Sequence, residues 1–148
     1  IRASFLLDDG TVVDVSGNPE LAFEFTEGME YYTIVKHRNH LEVMSAVPFT
    51  FSPDPLSASV GDLTIPDSVY GGNSLGVDEI EPGILALYSG EADQDGVIAS
   101  TDNNFYWRVQ SGLWYGYYIA DFNLDGNVLP TDRTFYWRPN SGHWSQIP

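Results

Sequence analysis

Along the first part of the chain, apolar and polar residues alternate in short runs. Ala3, Phe5 and Leu7 fall on one face of an extended segment, Asp8-Asp9-Gly10 make a tight turn, and residues 11–15 return; this is the pattern of a β-hairpin. Further strands are predicted over residues 21–25, 31–37, 41–44, 49–51, 63–65 and 84–88. Short strands separated by Gly, Pro, Asn and Asp predict an antiparallel, β-sandwich-like region over residues 1–89. Residues 52–73, rich in Pro, Ser, Gly and Asp, read as a long surface loop, and no helix is predicted before residue 90.

From residue 90 the pattern changes, because one stretch occurs twice, thirty residues apart. EADQDGVIASTDNNFYWRVQSGLW starts at Glu91, and DFNLDGNVLPTDRTFYWRPNSGHW starts at Asp121. Superposed, they put oxygen side chains at positions one, three, five and twelve: Glu91, Asp93, Asp95 and Asp102 in the first copy, Asp121, Asn123, Asp125 and Asp132 in the second. That spacing suits a calcium loop, in which alternate residues point inward around one cation and position twelve closes the shell. Gly96 and Gly126 occupy position six, where a sharp turn is needed, and Val97 and Asn127 would lend the position-seven carbonyl. Several carboxylates within a few ångströms repel by about 1 kcal/mol or more per pair, a penalty that a divalent cation removes. Solvated Asx turns are the simpler alternative for any one such loop. Glu91 is one methylene longer than the usual Asp, which makes the first site the looser of the two. After each loop a helix should start near Ser100 and Pro130, the second stopped by Pro139, with Ser111-Gly112 and Ser141-Gly142 as exits.

Both loops close with Asp rather than the Glu of an EF-hand, and only loop plus exiting helix is repeated. The duplicated segment, over roughly residues 90–148, resembles the tandem calcium repeat of dockerin modules from secreted bacterial proteins. The run YYTIVKHRNHLEVMSAVPF (31–49), then YGGN and the closing NSGHWSQIP, is similar to the C-terminal region of large modular surface proteins of Bacteroidota and related bacteria. The resemblance implies two bound calcium ions, a secreted or cell-surface location and a dockerin- or EF-hand-like loop–helix fold over 90–148.

Charge sharpens this picture. With 21 acidic against 6 basic residues and a net charge of -15, nucleic acid and anionic membrane surfaces are poor partners. The chain has no Cys, so a disulfide cannot be the staple of an extracellular fold; no apolar run reaches the roughly 18 residues of a membrane helix. An opening Ile1 without Met or apolar leader implies that a signal or larger precursor segment lies outside this chain.

Other chemistry is sparse. His37 and His40 have i, i+3 spacing, but the strand-like surroundings should splay the rings apart, and His143 has no ligand-like neighbour. The acidic pairs Asp8-Asp9 and Glu79-Glu81 read as solvated turns, and neither a nucleophile elbow nor a phosphate-cradling loop is present. Both helices carry Phe-Tyr-Trp-Arg, at 105–108 and 135–138. One aromatic of each should face the sister helix and others the β region; the sharper alternative makes Tyr106, Trp107, Trp114, Tyr136, Trp137 and Trp144 a contact surface for a protein or glycan. Arg108 and Arg138 should pair with carboxylates. An alternating strand at the very start could pair within the chain or along the edge of a neighbouring copy.

The sequence thus predicts a mainly β protein with a small α part, two calcium ions and no enzymatic activity. Its expected role is a calcium-stabilised structural or adhesive subunit of an extracellular bacterial surface protein, polymerising by N-terminal strand addition. A dockerin-type module anchoring a secreted protein to a scaffold is the alternative. Its partners would be further copies of itself or another extracellular protein.

Overall fold

The computed structural model describes residues 2–7, 11–19, 21–24, 26–50, 63, 65–72 and 75–148. Its strands are β1 (Ser4–Leu6), β2 (Val12–Asp14), β3 (Glu30–Tyr31), β4 (Ile34–His37), β5 (His40–Met44), β6 (Phe49–Thr50), β7 (Asp78–Glu81) and β8 (Ile84–Ala86). Among the described residues they form four two-stranded sheets, β1-β2, β3-β6, β4-β5 and β7-β8. Two short helices follow, so the protein is mainly β with a small α part.

The described residues fall into two compact units, those of Ile1–Glu30 with Thr50, and those of Tyr31–Phe49 with Ser59–Pro148. In the first unit β1 pairs antiparallel with β2, Phe5 opposite Val13 and Ser4 opposite Asp14. The N-terminal strand is therefore paired within its own chain; the turn expected at Asp8-Asp9-Gly10 lies outside the described residues. Past β2 the Asp14 carboxylate accepts the Ser16 and Asn18 N–H groups at 2.7 and 2.9 Å, an Asx turn that ends the strand. The strand predicted over 21–25 is not seen in its described residues, 21–24, which have no ladder partner.

In the second unit the expected strand 31–37 is interrupted. Thr33 gives its N–H to the Ser45 hydroxyl (3.1 Å) and its carbonyl to the Ser45 N–H (2.9 Å), leaving only 34–37 to pair with β5. The strand predicted over 63–65 is not seen in its described residues, 63 and 65, and Pro66 pre-sets the first residue of a one-turn 3-10 helix, Pro66–Ser68, within the segment read as an irregular loop. A hairpin that the periodicity concealed is β7–β8. Its acidic strand, Asp-Glu-Ile-Glu, lacks apolar alternation, yet Pro82-Gly83 is a strong turn pair and Gly83 has φ +79°.

The boundary expected between residues 89 and 90 does not separate compact bodies. Leu41, Tyr88 and Ile98 form one buried cluster with Trp137 packed against it, and the Leu41 N–H bonds the Tyr88 carbonyl at 2.8 Å. Hairpin and repeat thus bury apolar side chains against each other, which removes from water surface that either would otherwise expose. A second cluster, Ala92, Ala120, Phe122 and Val128, sits between the two loops and is covered by Tyr106, Trp107 and Trp137. A third joins Val43, Val69 and Val77 to Leu63, Leu85 and Leu87.

Leu41 is 2% exposed, so Leu41→Ala should cost about 2–5 kcal/mol of stability in urea unfolding. A loss within about 0.5 kcal/mol, the scale of an ordinary surface change, would mean that hairpin and repeat do not share this core.

Candidate metal centre

Each loop ends where its helix begins, at Ser100 and Pro130 as the sequence predicts. After two helical residues each, both helices continue with π-type bonding, Asp102–Trp107 and Asp132–Trp137, and finish with single α turns, Arg108–Gln110 and Arg138–Asn140. The Arg108 and Arg138 N–H groups reach the Asn103 and Arg133 carbonyls, five residues back. Such π segments are rare and often mark functional positions. Pro139 does not stop the second helix as expected; it lies inside the last turn, where the only intrahelical bond it forfeits is its own. Gly112 and Gly142, at φ +92° and +102°, provide the exits.

The position-twelve carboxylates are the inner anchors of the loops, each wholly buried. Asp102 accepts the Ala92 and Asp93 N–H groups at Oδ1 (2.6 and 3.3 Å) and the Ala99 N–H at Oδ2 (2.7 Å). Asp132 repeats the pattern with Phe122, Asn123 and Leu129 at 2.9, 3.2 and 2.8 Å. Positions two, three and nine of each loop are thus tied to position twelve.

Positions one, three and five form the outer part. In the first loop Glu91 Oε1 accepts the Asp95 N–H (2.9 Å), Asp93 the same N–H (3.3 Å), and Asp95 the Val97 N–H (2.9 Å). In the second, Asp121 accepts the Asp125 and Gly126 N–H groups (both 3.0 Å), Asn123 the Asp125 N–H (3.1 Å), and Asp125 the Asn127 N–H (2.8 Å). The bonds to positions three and five are Asx turns, those to position one come from four or five residues on, and each carboxylate oxygen keeps a further lone pair for a cation. Ligand atoms of Glu91, Asp93 and Asp95 all lie within 4.8 Å of one another, so this group could hold a metal ion. Asp102 lies outside that group, with both its oxygens on the loop backbone. Val97 and Asn127 occupy position seven, their N–H groups held by position five.

Position four has its own constraint. Gln94 and Leu124 adopt φ +59° and +63°, and Gly96 and Gly126 φ +88° and +86°. A left-handed Leu is unfavourable, and finding it where the other copy also turns left-handed shows that loop geometry overrides local preference.

Electrostatics agree with the crowding of like charge. Burial first, then the hydrogen bond with Asp93 and the charge of Asp102, push the Glu91 carboxyl up to about 7. Burial likewise raises Asp102 and Asp132 against the lowering effect of their backbone donors. Exposed Asp125 goes the other way, held low first by its bond from the Asn123 amide.

The copies interlock reciprocally. Trp107 Nε1 donates to the Leu129 carbonyl (3.0 Å) and Trp137 Nε1 to the Ala99 carbonyl (3.1 Å), position nine of the other loop in each case. Ile98 bonds residues 142 and 143, and Val128 bonds 112 and 113. Between the copies Arg133 donates to the Asn103 side chain (2.8 Å) and lies over the Trp107 and Trp137 rings at 5.5 and 5.7 Å.

No protein-family model matches the chain, and neither the curated proteins nor the solved structures contain a significant match.

The remaining candidates fall away from the loops. His37 and His40 are not splayed: as cross-strand partners beside a two-residue turn their rings meet edge to face at 4.7 Å, with Nδ1 atoms 2.8 Å apart. Burial above all, then His37 and Arg38, lowers His40 to about 3, so its ring is neutral. His143 stacks on Tyr88 at 4.0 Å. Glu79 accepts the Gly83 N–H in the β7–β8 turn, and Asp8 and Asp9 lie outside the described residues. Arg108 and Arg138 are exposed and form no ion pair with a described residue. Tyr106, Trp107 and Trp137 are packed inside; Trp114, Tyr136 and Trp144, with Phe105 and Phe135, are the exposed aromatics of that set. Sequence reasoning passed over Arg38 and Asn39, which touch both loops; the only signal was a polar pair between two strands.

A raised carboxyl pKa means the folded state holds more protons, so charge on Glu91 destabilises the metal-free fold as pH rises from the ordinary value of 4.5 through about 7. Glu91→Gln should therefore melt above the parent in chelator at pH 8, with the difference shrinking toward pH 4. A parent that melts higher than the variant at pH 8 in chelator would contradict the assignment of that charge as strain.

Proposed function

We propose that the protein is a non-enzymatic, calcium-stabilised structural or adhesive module of an extracellular bacterial surface protein. The observation that carries the proposal is the pair of equivalent loops, each closed by a buried position-twelve carboxylate, with the oxygens of positions one, three and five gathered within 4.8 Å in the first. Hard oxygen donors, flexible spacing and high negative charge fit calcium. Glu91, Asp93, Asp95 and Asp102, with the Val97 carbonyl, would hold one ion; Asp121, Asn123, Asp125 and Asp132, with the Asn127 carbonyl, would hold the other. Each ion would neutralise the crowded oxygens of its own loop, the buried Glu91 carboxyl among those of the first, and so fix the helix that follows. A chain without Cys gains from calcium the restraint that disulfides give other extracellular folds.

Assembly belongs to the same reading. Among the described residues β1 pairs only with β2, so polymerisation by N-terminal strand addition would use the edge of this sheet or exchange its β1 with a neighbouring copy, and head-to-tail repetition would yield a filament. The dockerin-type alternative draws its support from the exposed face of the repeat, where Phe105, Val109 and Phe135 are each about two-thirds or more exposed. A receptor domain would cover such residues on binding.

Calcium in hundredfold excess over its Kd should stabilise the fold by about 2.7 kcal/mol per site, read as a rise in melting temperature over chelator. Asp125→Ala should remove one of the two sites by calorimetry. Identical melting curves with and without calcium would sink the reading, and a strictly monomeric species in millimolar calcium by light scattering would remove the assembly part.

A further inference from the structure

The turn between β4 and β5 consists of two residues, Arg38 and Asn39, and it touches both loops. Asn39 is wholly buried. Its carbonyl accepts the Gly90 and Glu91 N–H groups at 2.9 and 3.2 Å, and its side-chain Nδ2 donates to the Ile119 and Asp121 carbonyls at 3.0 and 2.6 Å. One residue therefore holds position one of the first loop and position one of the second. Arg38 does the same at one remove: its carbonyl accepts Nε2 of Gln94, position four of the first loop, at 3.2 Å. Its guanidinium lies 3.6 Å from Asp121 Oδ2 and is stacked 3.8 Å over the Tyr117 ring.

The two loops differ in charge. The first has four carboxylates at the aligned positions and the second three, with Asn123 in place of Asp93. It is the second, less acidic loop that receives a fixed positive charge. Asp121 is 2% exposed, so that charge acts where water screens it poorly.

We propose that the Arg38–Asn39 turn is the latch of the repeat: Asn39 positions the first residue of both loops, and Arg38 is the built-in counter-cation of the second loop, in competition with an ion held there. The calcium half of this inference rests on the function proposed above; the latch half does not. Arg38 stabilises the metal-free second loop by offsetting Asp121, and by the same charge weakens the loop's hold on a divalent ion. Removing the guanidinium has opposite effects on the two states.

Arg38→Gln, which keeps a hydrogen-bonding side chain without the charge, separates them. In chelator the variant should melt below the parent. In a calcium titration by calorimetry one of the two sites should tighten at least about five-fold, the effect of one unit-charge interaction at roughly 4 Å screened as fully as in bulk water, and the other should be unmoved. Combined with Asp125→Ala, Arg38→Gln should leave the remaining site unchanged, which assigns the effect to the second loop. Asn39→Asp, near in shape but without the two donors, should lower the chelator melt and weaken both sites. An Arg38→Gln variant that melts with the parent in chelator overturns the latch, and one whose two affinities stay equal to the parent's or fall overturns the counter-cation. A parent that takes up no calcium defeats the function proposed above and the counter-cation with it, while the chelator melts still decide the latch.

Discussion

Two buried aspartates hold the second unit together. Asp102 and Asp132 accept three backbone N–H groups each, and those donors belong to the start and the end of the loop that each one closes. A carboxylate removed from water is unfavourable unless donors surround it, so the loop must curl until its amides face inward. Once it does, positions one, three and five are brought together on the other side. The shape of the loop and the crowding of its acids have one cause.

That crowding is what makes the loops more than turns. Ligand atoms of Glu91, Asp93 and Asp95 lie close enough together to hold a cation, and burial first, then the neighbouring acids, raises the Glu91 carboxyl. The reciprocal Trp107 and Trp137 bonds to position nine of the opposite loop mean that neither loop can deform alone. Arg133, which has Asn103 as its counterpart in the other copy, fills the space between the two tryptophans with a single guanidinium. The repeat is nearly symmetric in its backbone and asymmetric in its charges, and Arg38 adds to the asymmetry.

Dependence also runs from the repeat to the β hairpins. Ile98, from position eight of the first loop, is buried with Leu41 of β5 and Tyr88 beyond β8. Asn39 has its donors on one loop and its acceptor on the other. Residues 31–49 and the repeat belong to one packed unit, in which Leu41 and Tyr88 cover Ile98 and one side of Trp137.

Much of the local structure was legible in the chain itself. The loop positions, the helix starts at Ser100 and Pro130, the glycine exits and the first hairpin follow from spacing and turn chemistry, which act between near neighbours. What neighbours do not determine was misread or missed: the β7–β8 hairpin hidden by its acidic strand, the meeting of His37 with His40 across a turn, the isolation of Arg108 and Arg138, and the common core of hairpin and repeat. The sequence determined where oxygens, turns and helix caps stand along the backbone, because those are set within a dozen residues. Only tertiary packing decided that Asn39 and Arg38, more than fifty residues before the loops, reach both of them, since no periodicity encodes which distant carbonyl a buried amide will find.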